Sequence, residues 1–373
     1  MIPLKWTSAC LDSSGYAEAS RNYISALHKS EKVNLTLSIT SFENQKTDHS
    51  EIGRLCGSLV NKKDVPYKIN VVHLTPENFP TFVERDKYNI GYTVWETDSL
   101  PKDWVPLCNM MDEIWVPSKW NKNVFIHSGV TKPIYIIPHC LMVDTSEAKE
   151  HISMGVSDDT FIFYSVFQWI VRKNPIDLLK AYFTEFKKDE KVCLALKTYR
   201  LNTSVKEKDV IKQDIQKIKH GLNLQEYPQI IFFGDLFSNE VMKAFYQKGD
   251  CFVLPCHAEG WGICYATAMA YGKPTIGTKY GGQLDFMNSK NSYLIKCQES
   301  PVFNMIFPNY DGSMNWADPN ISHLKKLMRY VYENREEAKT IGLQGKKDIE
   351  ELYNPRVVSD LITKRLEEIL KVV

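Results

Sequence analysis

Residues 251–274, CFVLPCHAEGWGICYATAMAYGKP, contain a complete strand, turn and helix pattern. The apolar run Cys251–Leu254 is typical of a strand that is buried on both faces. After a turn, an apolar helix is predicted from about Ile263 to Tyr271, because Gly272 and a following proline end it. This stretch predicts one strand–helix unit of a parallel α/β sheet.

The turn inside this stretch carries an unusual combination of residues, Glu259, Gly260 and Gly262. A carboxylate just before a helix is favourable, so a capping glutamate is the plain interpretation. However, Asp or Ser would cap equally well, and two glycines cost backbone entropy without improving a cap. Free backbone amides beside a carboxylate favour a site for a polyol next to a phosphate.

Short apolar runs alternate with helical patterns along the whole chain, which predicts parallel sheets with crossover helices. Asn174–Pro175 and Asn354–Pro355 are typical helix starts, with a capping side chain and proline at the first helical position. The predicted strands are Val33–Ile39, Ile69–His73, Ile90–Val94, Glu113–Val116, Ile134–Ile137, Phe161–Ser165, Val192–Lys197, Ile230–Phe233, Cys251–Leu254, Thr275–Gly277 and Tyr293–Ile295.

The strands fall into two sets, which predicts two doubly wound α/β domains joined by the polar linker around Asp144–Glu150. We expect an N-terminal Rossmann-like domain over residues 1–145, a second one over 146–352 and a C-terminal helix over 353–373. The stretch Pro301–Pro319, rich in Asn, Asp, Pro and aromatic residues, predicts an irregular insertion or lid.

Composition restricts the classes of function. The 373 residues carry a formal net charge of +1, so bulk charge gives no support for a nucleic-acid partner. The nine cysteines lack the spacing of a zinc site, and their odd number argues against a secreted disulfide framework. The sequence shows neither a secretory signal nor an apolar run of about 18 residues, so we expect a cytoplasmic protein without a spanning helix.

Four further loops follow predicted strands or precede predicted helices. Ser13–Arg21 contains Gly15 and Tyr16, and a plain strand–helix turn is the alternative there. Ser165–Pro175 places Arg172 and Lys173 before a positive helix end; this is unfavourable for the helix alone but suited to a diphosphate, a solvated basic turn being the alternative.

The remaining two loops are Trp95–Asp98 and Thr278–Asp285. Glu96 and Asp98 offer carboxylates at the end of a strand, although surface carboxylates are common. The double glycine of the second loop permits close approach of a ligand to the backbone.

Several of these segments together resemble the retaining glycosyltransferases of the GT-B fold, specifically family 4 (glycosyl transferase group 1), which includes glycogen-synthase-like and mannosyltransferase-like enzymes. The matching segments follow the family's order along most of the chain. They are Ser14–Tyr16 with Arg21, Ile136–His139 with Val143–Asp144, Arg172–Pro175 with Leu178–Tyr182, Asp250–Pro255 with Glu259–Ala270, and Gly281–Gly282.

The resemblance implies two Rossmann-like domains that face a central cleft, with the C-terminal helix packing back on the first. It implies transfer of a hexosyl group from a nucleotide-diphosphate sugar to an acceptor hydroxyl, with retention of configuration and without a metal or other cofactor. The acceptor is expected to be a glycan, a lipid-linked molecule or a protein, and contact with a membrane surface stays open. The implied catalytic residues are Arg172, Lys173, Glu259 and Glu96, and the implied substrate-binding residues are Gly15, Tyr16, Asp98, Gly260, Trp261, Gly262, Ile263, Thr267, Gly281 and Gly282.

Two positions depart from the family pattern. The second glutamate of the family, which holds the ribose hydroxyls, falls at Thr267, and an arginine that precedes the motif lysine falls at Gln168. Threonine offers one short neutral group where a carboxylate accepts two hydrogen bonds. Two alternatives therefore stay open: a non-catalytic scaffold that binds nucleotide sugars, and a sugar-nucleotide epimerase of the GT-B fold.

Overall fold

The structure is a computed structural model and describes residues 1–12, 14–41, 51–60, 62, 64–304 and 309–373. The chain divides into two compact units. We call residues 1–142 with 350–373 the first unit and residues 143–349 the second unit. Of the predicted loops, Ser13 and residues 305–308 of the expected lid lie outside the described residues.

The first unit is built on one parallel sheet. Its strands are β1 (Ile2–Ala9), β2 (Val33–Thr40), β3 (Ile69–His73), β4 (Tyr88–Tyr92), β5 (Glu113–Val116) and β6 (Ile134–Ile136). Its helices up to residue 142 are α1 (Gly15–Ser30), α2 (Glu51–Ser58), α3 (Phe79–Phe82), α4 (Trp104–Asn109) and α5 (Lys119–His127), with a 3₁₀ turn at Pro76–Asn78. The strand order is β2-β1-β3-β4-β5-β6, with every pairing parallel.

The second unit contains a parallel sheet and a separate hairpin. Its strands are β7 (Phe161–Gln168), β8 (Val192–Tyr199), β9 (Gln229–Phe233), β10 (Cys251–Leu254), β11 (Thr275–Thr278), β12 (Tyr293–Ile295), β13 (Cys297–Pro301) and β14 (Asn315–Pro319). Its helices are α6 (Pro175–Glu185), α7 (Val205–Leu222), α8 (Asn239–Lys248), α9 (Ile263–Ala270), α10 (Ile321–Glu333) and α11 (Arg335–Leu352), whose last three residues belong to the first unit, and 3₁₀ turns lie at Val171–Lys173 and Gly282–Asp285. The parallel sheet has the order β12-β11-β10-β7-β8-β9.

The last helix, α12 (Pro355–Ile369), packs against α1 and β1 within the first unit. Its Arg365 reaches the fully buried carboxylate of Glu113 on β5, with Nη2 2.5 Å from Oε2. The predicted caps are confirmed at both helix starts: the Asn174 side chain accepts from the amide of Asp177, and Asn354 accepts from Val357. These caps satisfy donors that the first helical turn leaves unpaired.

Every strand that the sequence predicts overlaps a strand of the structure, and the predicted α/β fold is confirmed. Two features are absent from the list of predicted strands. The strand β1, which lies between β2 and β3, is the strand-like segment expected before the Ser13–Arg21 loop, for which the list of predicted strands gives no bounds. The expected irregular lid is, at its two ends, the antiparallel hairpin of β13 and β14.

Candidate functional site

Three loops of the second unit lie at one edge of its sheet, because β7, β10 and β11 are parallel neighbours and their carboxyl ends point the same way. The 3₁₀ turn Val171–Lys173 follows β7, residues 255–262 follow β10, and residues 279–282 follow β11. In open α/β sheets this edge is where ligands bind. Most residues predicted for the donor site lie on these three loops.

The three charged residues predicted at this edge form one ion cluster, Arg172, Lys173 and Glu259. Lys173 Nζ bonds Glu259 Oε1, and Arg172 Nη1 lies 3.4 Å from Glu259 Oε2. All three side chains are between 10% and 13% exposed. Burial raises the pKa of Glu259, but the charges of Lys173 and Arg172 outweigh it, so the pKa of this carboxyl lies below its ordinary value.

Backbone hydrogen bonds fix the two cations relative to the glutamate. The amide of His257 donates to the carbonyl oxygen of Arg172 at 2.7 Å, which ties the loop after β10 to the loop after β7. Arg172 Nη1 also donates to the carbonyl oxygen of Ala258 at 2.8 Å. Asn174 takes a left-handed conformation with φ of 55°, ending the 3₁₀ turn and capping α6. The cluster is therefore held by main-chain contacts as well as by charge.

Two of the predicted glycines are required by this geometry. Gly262 has φ of 97°, a left-handed conformation at the cap of α9. Gly281 has φ of 92°, and a Cβ atom there would lie 2.6 Å from the carbonyl oxygen of Glu259. The next amide, that of Gly282, donates to the same oxygen at 2.7 Å. The double glycine thus makes room for the backbone of Glu259. The sequence analysis predicted a close approach at this turn, but by a ligand.

Helix α9 presents one half-buried face beside this cluster. Tyr265, Ala266 and Ala268 are buried, whereas Ile263 and Thr267 are half-buried and one turn apart on the same face. Thr267 therefore faces the same side of the helix as its first residue. Trp261 is 1% exposed and its ring packs against Phe286, so its side chain belongs to the core beneath the loop.

The predicted residues of the N-terminal loop lie in the first unit. Gly15 is the exposed first residue of α1, and a Cβ atom there would meet nothing within 4 Å. The fold itself therefore does not require glycine at this position. Tyr16 is held in place, since its hydroxyl lies 3.0 Å from Thr93 Oγ1 and accepts from the amide of Val94. This contact joins the start of α1 to the chain after β4.

The acidic loop after β4 is held in a fixed conformation in the first unit. The amide and the carbonyl oxygen of Trp95 both bond the side chain of Asn121, at 2.7 and 2.9 Å. Its indole donates to Thr97 Oγ1 at 2.6 Å. Glu96 and Asp98 alternate with these buried residues and are half-buried. The loop thus displays two carboxylates on a rigid support beside Tyr16.

One residue of the site was not predicted from the sequence, His257. Its Nδ1 lies 2.7 Å from the carbonyl oxygen of Ala317 on β14, and because that oxygen only accepts, Nδ1 carries the proton. Its ring stacks on Trp316, with centroids 4.5 Å apart. His257 therefore connects the hairpin to the backbone of Arg172. The only feature of the sequence that could have indicated His257 is its position between the apolar strand and Glu259.

Gln168, where the family pattern has an arginine, is the last residue of β7, and its side-chain amide bonds the chain just after β8. Gln168 Nε2 donates to the carbonyl oxygen of Arg200 at 2.8 Å. Among the residues that the structure describes, no group of three or more His, Cys, Asp and Glu side chains is placed to hold a metal ion. None of the helices in these same ranges is both long enough and apolar enough to cross a membrane.

Comparison with known proteins supports a glycosyltransferase. Residues 159–303, less than half of the chain, match the family model described as Glycosyl transferases group 1. This segment contains the loops of the ion cluster and both required glycines. No curated protein sequence is significantly similar to the chain.

Solved structures of glycosyltransferases share the fold over the whole chain. Anabaena Alr3699/HepE, in complex with UDP and glucose, is 13% identical with a TM-score of 0.68, over 99% of this chain and 100% of its own. Sucrose-phosphate synthase from Thermosynechococcus elongatus is 14% identical with a TM-score of 0.71, over 100% of both chains. A glycosyltransferase from Rickettsia africae is 13% identical with a TM-score of 0.68, over 100% of this chain and 99% of its own. The fold is GT-B.

Proposed function

We propose that the chain is a retaining glycosyltransferase of family 4, which moves a hexosyl group from a nucleotide-diphosphate sugar to an acceptor hydroxyl without a metal. The observation that carries the proposal is the buried cluster of Arg172, Lys173 and Glu259 at the carboxyl edge of the sheet. It lies within the segment that matches the glycosyltransferase model. The neighbour Alr3699/HepE, whose structure contains UDP-glucose, supports a nucleotide sugar as donor.

In this proposal the two cations bind the diphosphate. When the bond between the sugar's anomeric carbon and the diphosphate oxygen breaks, negative charge grows on the diphosphate, and Arg172 and Lys173 stabilise it. Because both cations are nearly buried, their effect on that charge is larger than in water. Glu259, released from the cations by the incoming phosphates, then stabilises positive charge on the sugar.

The remaining assignments follow the same proposal. Residues 146–352 are the donor domain and residues 1–145 the acceptor domain, with the helix at 353–373 belonging structurally to the first. The acidic loop of Glu96 and Asp98 serves the acceptor side, and the loop of Gly15 and Tyr16 contributes to binding of the donor diphosphate. The acceptor is a glycan, lipid-linked or protein hydroxyl, and the enzyme acts in glycan biosynthesis in the cytoplasm.

A non-catalytic nucleotide-sugar scaffold is the second candidate. Thr267 and Gln168 favour it, because neither supplies the charged group that the family pattern has there. The two candidates differ in one assay: a transferase releases nucleotide from its donor, slowly to water and faster with an acceptor. A scaffold binds the donor and leaves it intact, and an epimerase converts it without free nucleotide.

The test begins with calorimetric titration of UDP, GDP, ADP, CDP and dTDP in EDTA. We expect at least one to bind, and binding of none would refute the proposal. Donor sugars of that nucleotide are then screened by nucleotide release. Lys173→Ala should lower turnover far more than it weakens donor binding, whereas Lys188→Ala, at an exposed ion pair, should change neither. Equal turnover in both variants would remove Lys173 from the reaction.

Thr267→Glu tests the departure on α9. Thr267 is half-buried and is not among the buried core residues of α9, so we expect the substitution to leave the core unchanged. Its carboxylate can accept from both ribose hydroxyls, and we expect tighter nucleotide binding by about tenfold. Calorimetry measures the change, and thermal unfolding checks the fold. An unchanged dissociation constant would place Thr267 outside the site.

A further inference from the structure

Lys197 is a buried cation near the carboxyl end of β8, the strand next to the edge strand β9 of the second unit's sheet. It belongs to β8, whose sequence VCLALKTY is otherwise apolar up to this position. Lys197 pairs with Val166 on β7 and with Phe233 on β9, so strands cover it on both sides. The residue is 7% exposed. A lysine is rarely buried to this extent unless an acceptor accompanies it.

No carboxylate or carbonyl of the described ranges (1–12, 14–41, 51–60, 62, 64–304, 309–373) bonds the Lys197 ammonium. The ammonium lies over the ring of Phe237, with Nζ 5.0 Å from the ring centroid. The nearby carboxylate of Asp235 is bonded instead by Lys208, at 2.5 Å. Burial lowers the pKa of Lys197 despite the attraction of Asp235. The fold therefore retains a buried ammonium whose contact with the Phe237 ring is not accompanied by a bonded carboxylate or carbonyl in the part of the chain that the structure describes.

The strand order places Lys197 on one side of the ion cluster. In the sheet order β11-β10-β7-β8, the loop after β11 carries Gly281, the loop after β10 carries Glu259, and the loop after β7 carries the two cations. The carboxyl end of β8 comes next. In a nucleotide sugar the diphosphate lies between the sugar and the nucleoside. With the diphosphate at Arg172 and Lys173 and the sugar beside Glu259, the nucleoside extends toward β8 and β9.

We propose that Lys197 is a specificity-determining residue that donates a hydrogen bond to a carbonyl oxygen of the donor's nucleobase. The inference rests on the proposed function. Lysine carries donors only, so it suits uracil, thymine or guanine and leaves adenine, which has no carbonyl, without a partner. Phe237, at 5.0 Å from the ammonium, and Leu236, 68% exposed, offer an apolar surface beside it for a flat base.

The test compares UDP and ADP binding by calorimetry in the full-length protein and in Lys197→Met, which keeps the length and apolar stem of the side chain. We expect the unmodified protein to prefer UDP, and the variant to bind UDP roughly tenfold or more weakly with little change for ADP. Lys208→Met, a neighbouring lysine bonded to Asp235, is the matched control and should keep the preference.

The outcomes separate the inference from the proposed function. If the unmodified protein binds no nucleotide diphosphate, the proposed function fails and the inference fails with it. If it binds nucleotides but Lys197→Met leaves UDP affinity unchanged, or weakens UDP and ADP equally, the base assignment alone is overturned. The melting temperature of Lys197→Met should equal or exceed that of the unmodified protein, because an unpaired buried charge is removed.

A second measurement needs no variant. UDP analogues that lack the C2 or the C4 oxygen are titrated into the unmodified protein. One of the two should bind roughly tenfold more weakly than UDP, since the ammonium loses its acceptor. Equal affinity of UDP and both analogues would overturn the assignment even if Lys197→Met failed to fold.

Discussion

Replacing Glu259 by glutamine tests whether the ion cluster is a folding element as well as a binding site. The carboxylate is 10% exposed and contacts two cations that are 12% and 13% exposed, so the substitution leaves two nearly buried charges without a counterion. Removing one partner of a buried pair costs about 3–5 kcal/mol. Glutamine keeps one acceptor oxygen, so we expect the lower end of this range.

For a unit of about 150–250 residues, about 3 kcal/mol corresponds to a fall in melting temperature of roughly 6–12 °C. Differential scanning calorimetry at neutral pH measures it. Asp159→Asn, at an ion pair whose two side chains are more than half exposed, is the control and should melt like the unmodified protein. A fall of less than about 2 °C in Glu259→Gln would refute the view that this carboxylate balances the cations.

The same variant carries a pH signature. Because the pKa of Glu259 is depressed in the folded protein, its contribution to stability is present above the ordinary carboxyl pKa and is lost as pH falls through the lower folded value. The stability difference between Glu259→Gln and the unmodified protein should therefore shrink in acid. Saturating nucleotide diphosphate should also shrink it, since phosphates replace the missing charge.

Two further predictions concern the backbone of the site and the core of the first unit. Gly281→Ala should lower the melting temperature and abolish nucleotide binding, because its Cβ would lie 2.6 Å from the Glu259 carbonyl oxygen, whereas Gly15→Ala should fold normally; equal stability of the two variants would contradict this geometry. Burial lowers the pKa of His139 to about 3, so the unfolded chain binds a proton that the folded one does not, and stability falls as pH drops from about 6.5 toward 3. In His139→Gln, the urea concentration at the unfolding midpoint should fall less as pH drops over that range. The same fall as in the unmodified protein would contradict the lowered pKa of His139.

The sequence predicts the fold of each unit well because its strands are short apolar runs. β1 is the exception: its sequence IPLKWTSA mixes Lys5 and Thr7 with apolar residues, so it does not resemble a strand buried on both faces. The structure explains the lysine, since Lys5 Nζ bonds Glu84 at 2.6 Å. The hairpin β13–β14 was also missed, because β13 is largely polar and exposed and β14, NWADP, is a short mixed segment that ends in proline.

The sequence indicates which charged residues could share a site, but not how they contact each other. The order of motifs indicates Arg172, Lys173 and Glu259, yet their mutual pairing joins residues 86 positions apart and depends on which strands are neighbours. The role of Gly281 in admitting the Glu259 backbone is likewise a tertiary property. Lys197 ends the apolar run of a predicted strand, but its burial is a property of the folded sheet that the sequence alone does not predict.

The pairing of Glu259 with both cations also determines how much negative charge an anion needs in order to bind at this edge of the sheet. The cluster presents two positive charges and one negative charge, so a chloride ion meets one net charge and must break an existing ion pair to gain more. A ligand with two adjacent phosphates brings enough negative charge to replace the carboxylate at both cations together. If the proposed function holds, binding of a nucleotide diphosphate should therefore depend less on chloride concentration than a site with two unpaired cations would.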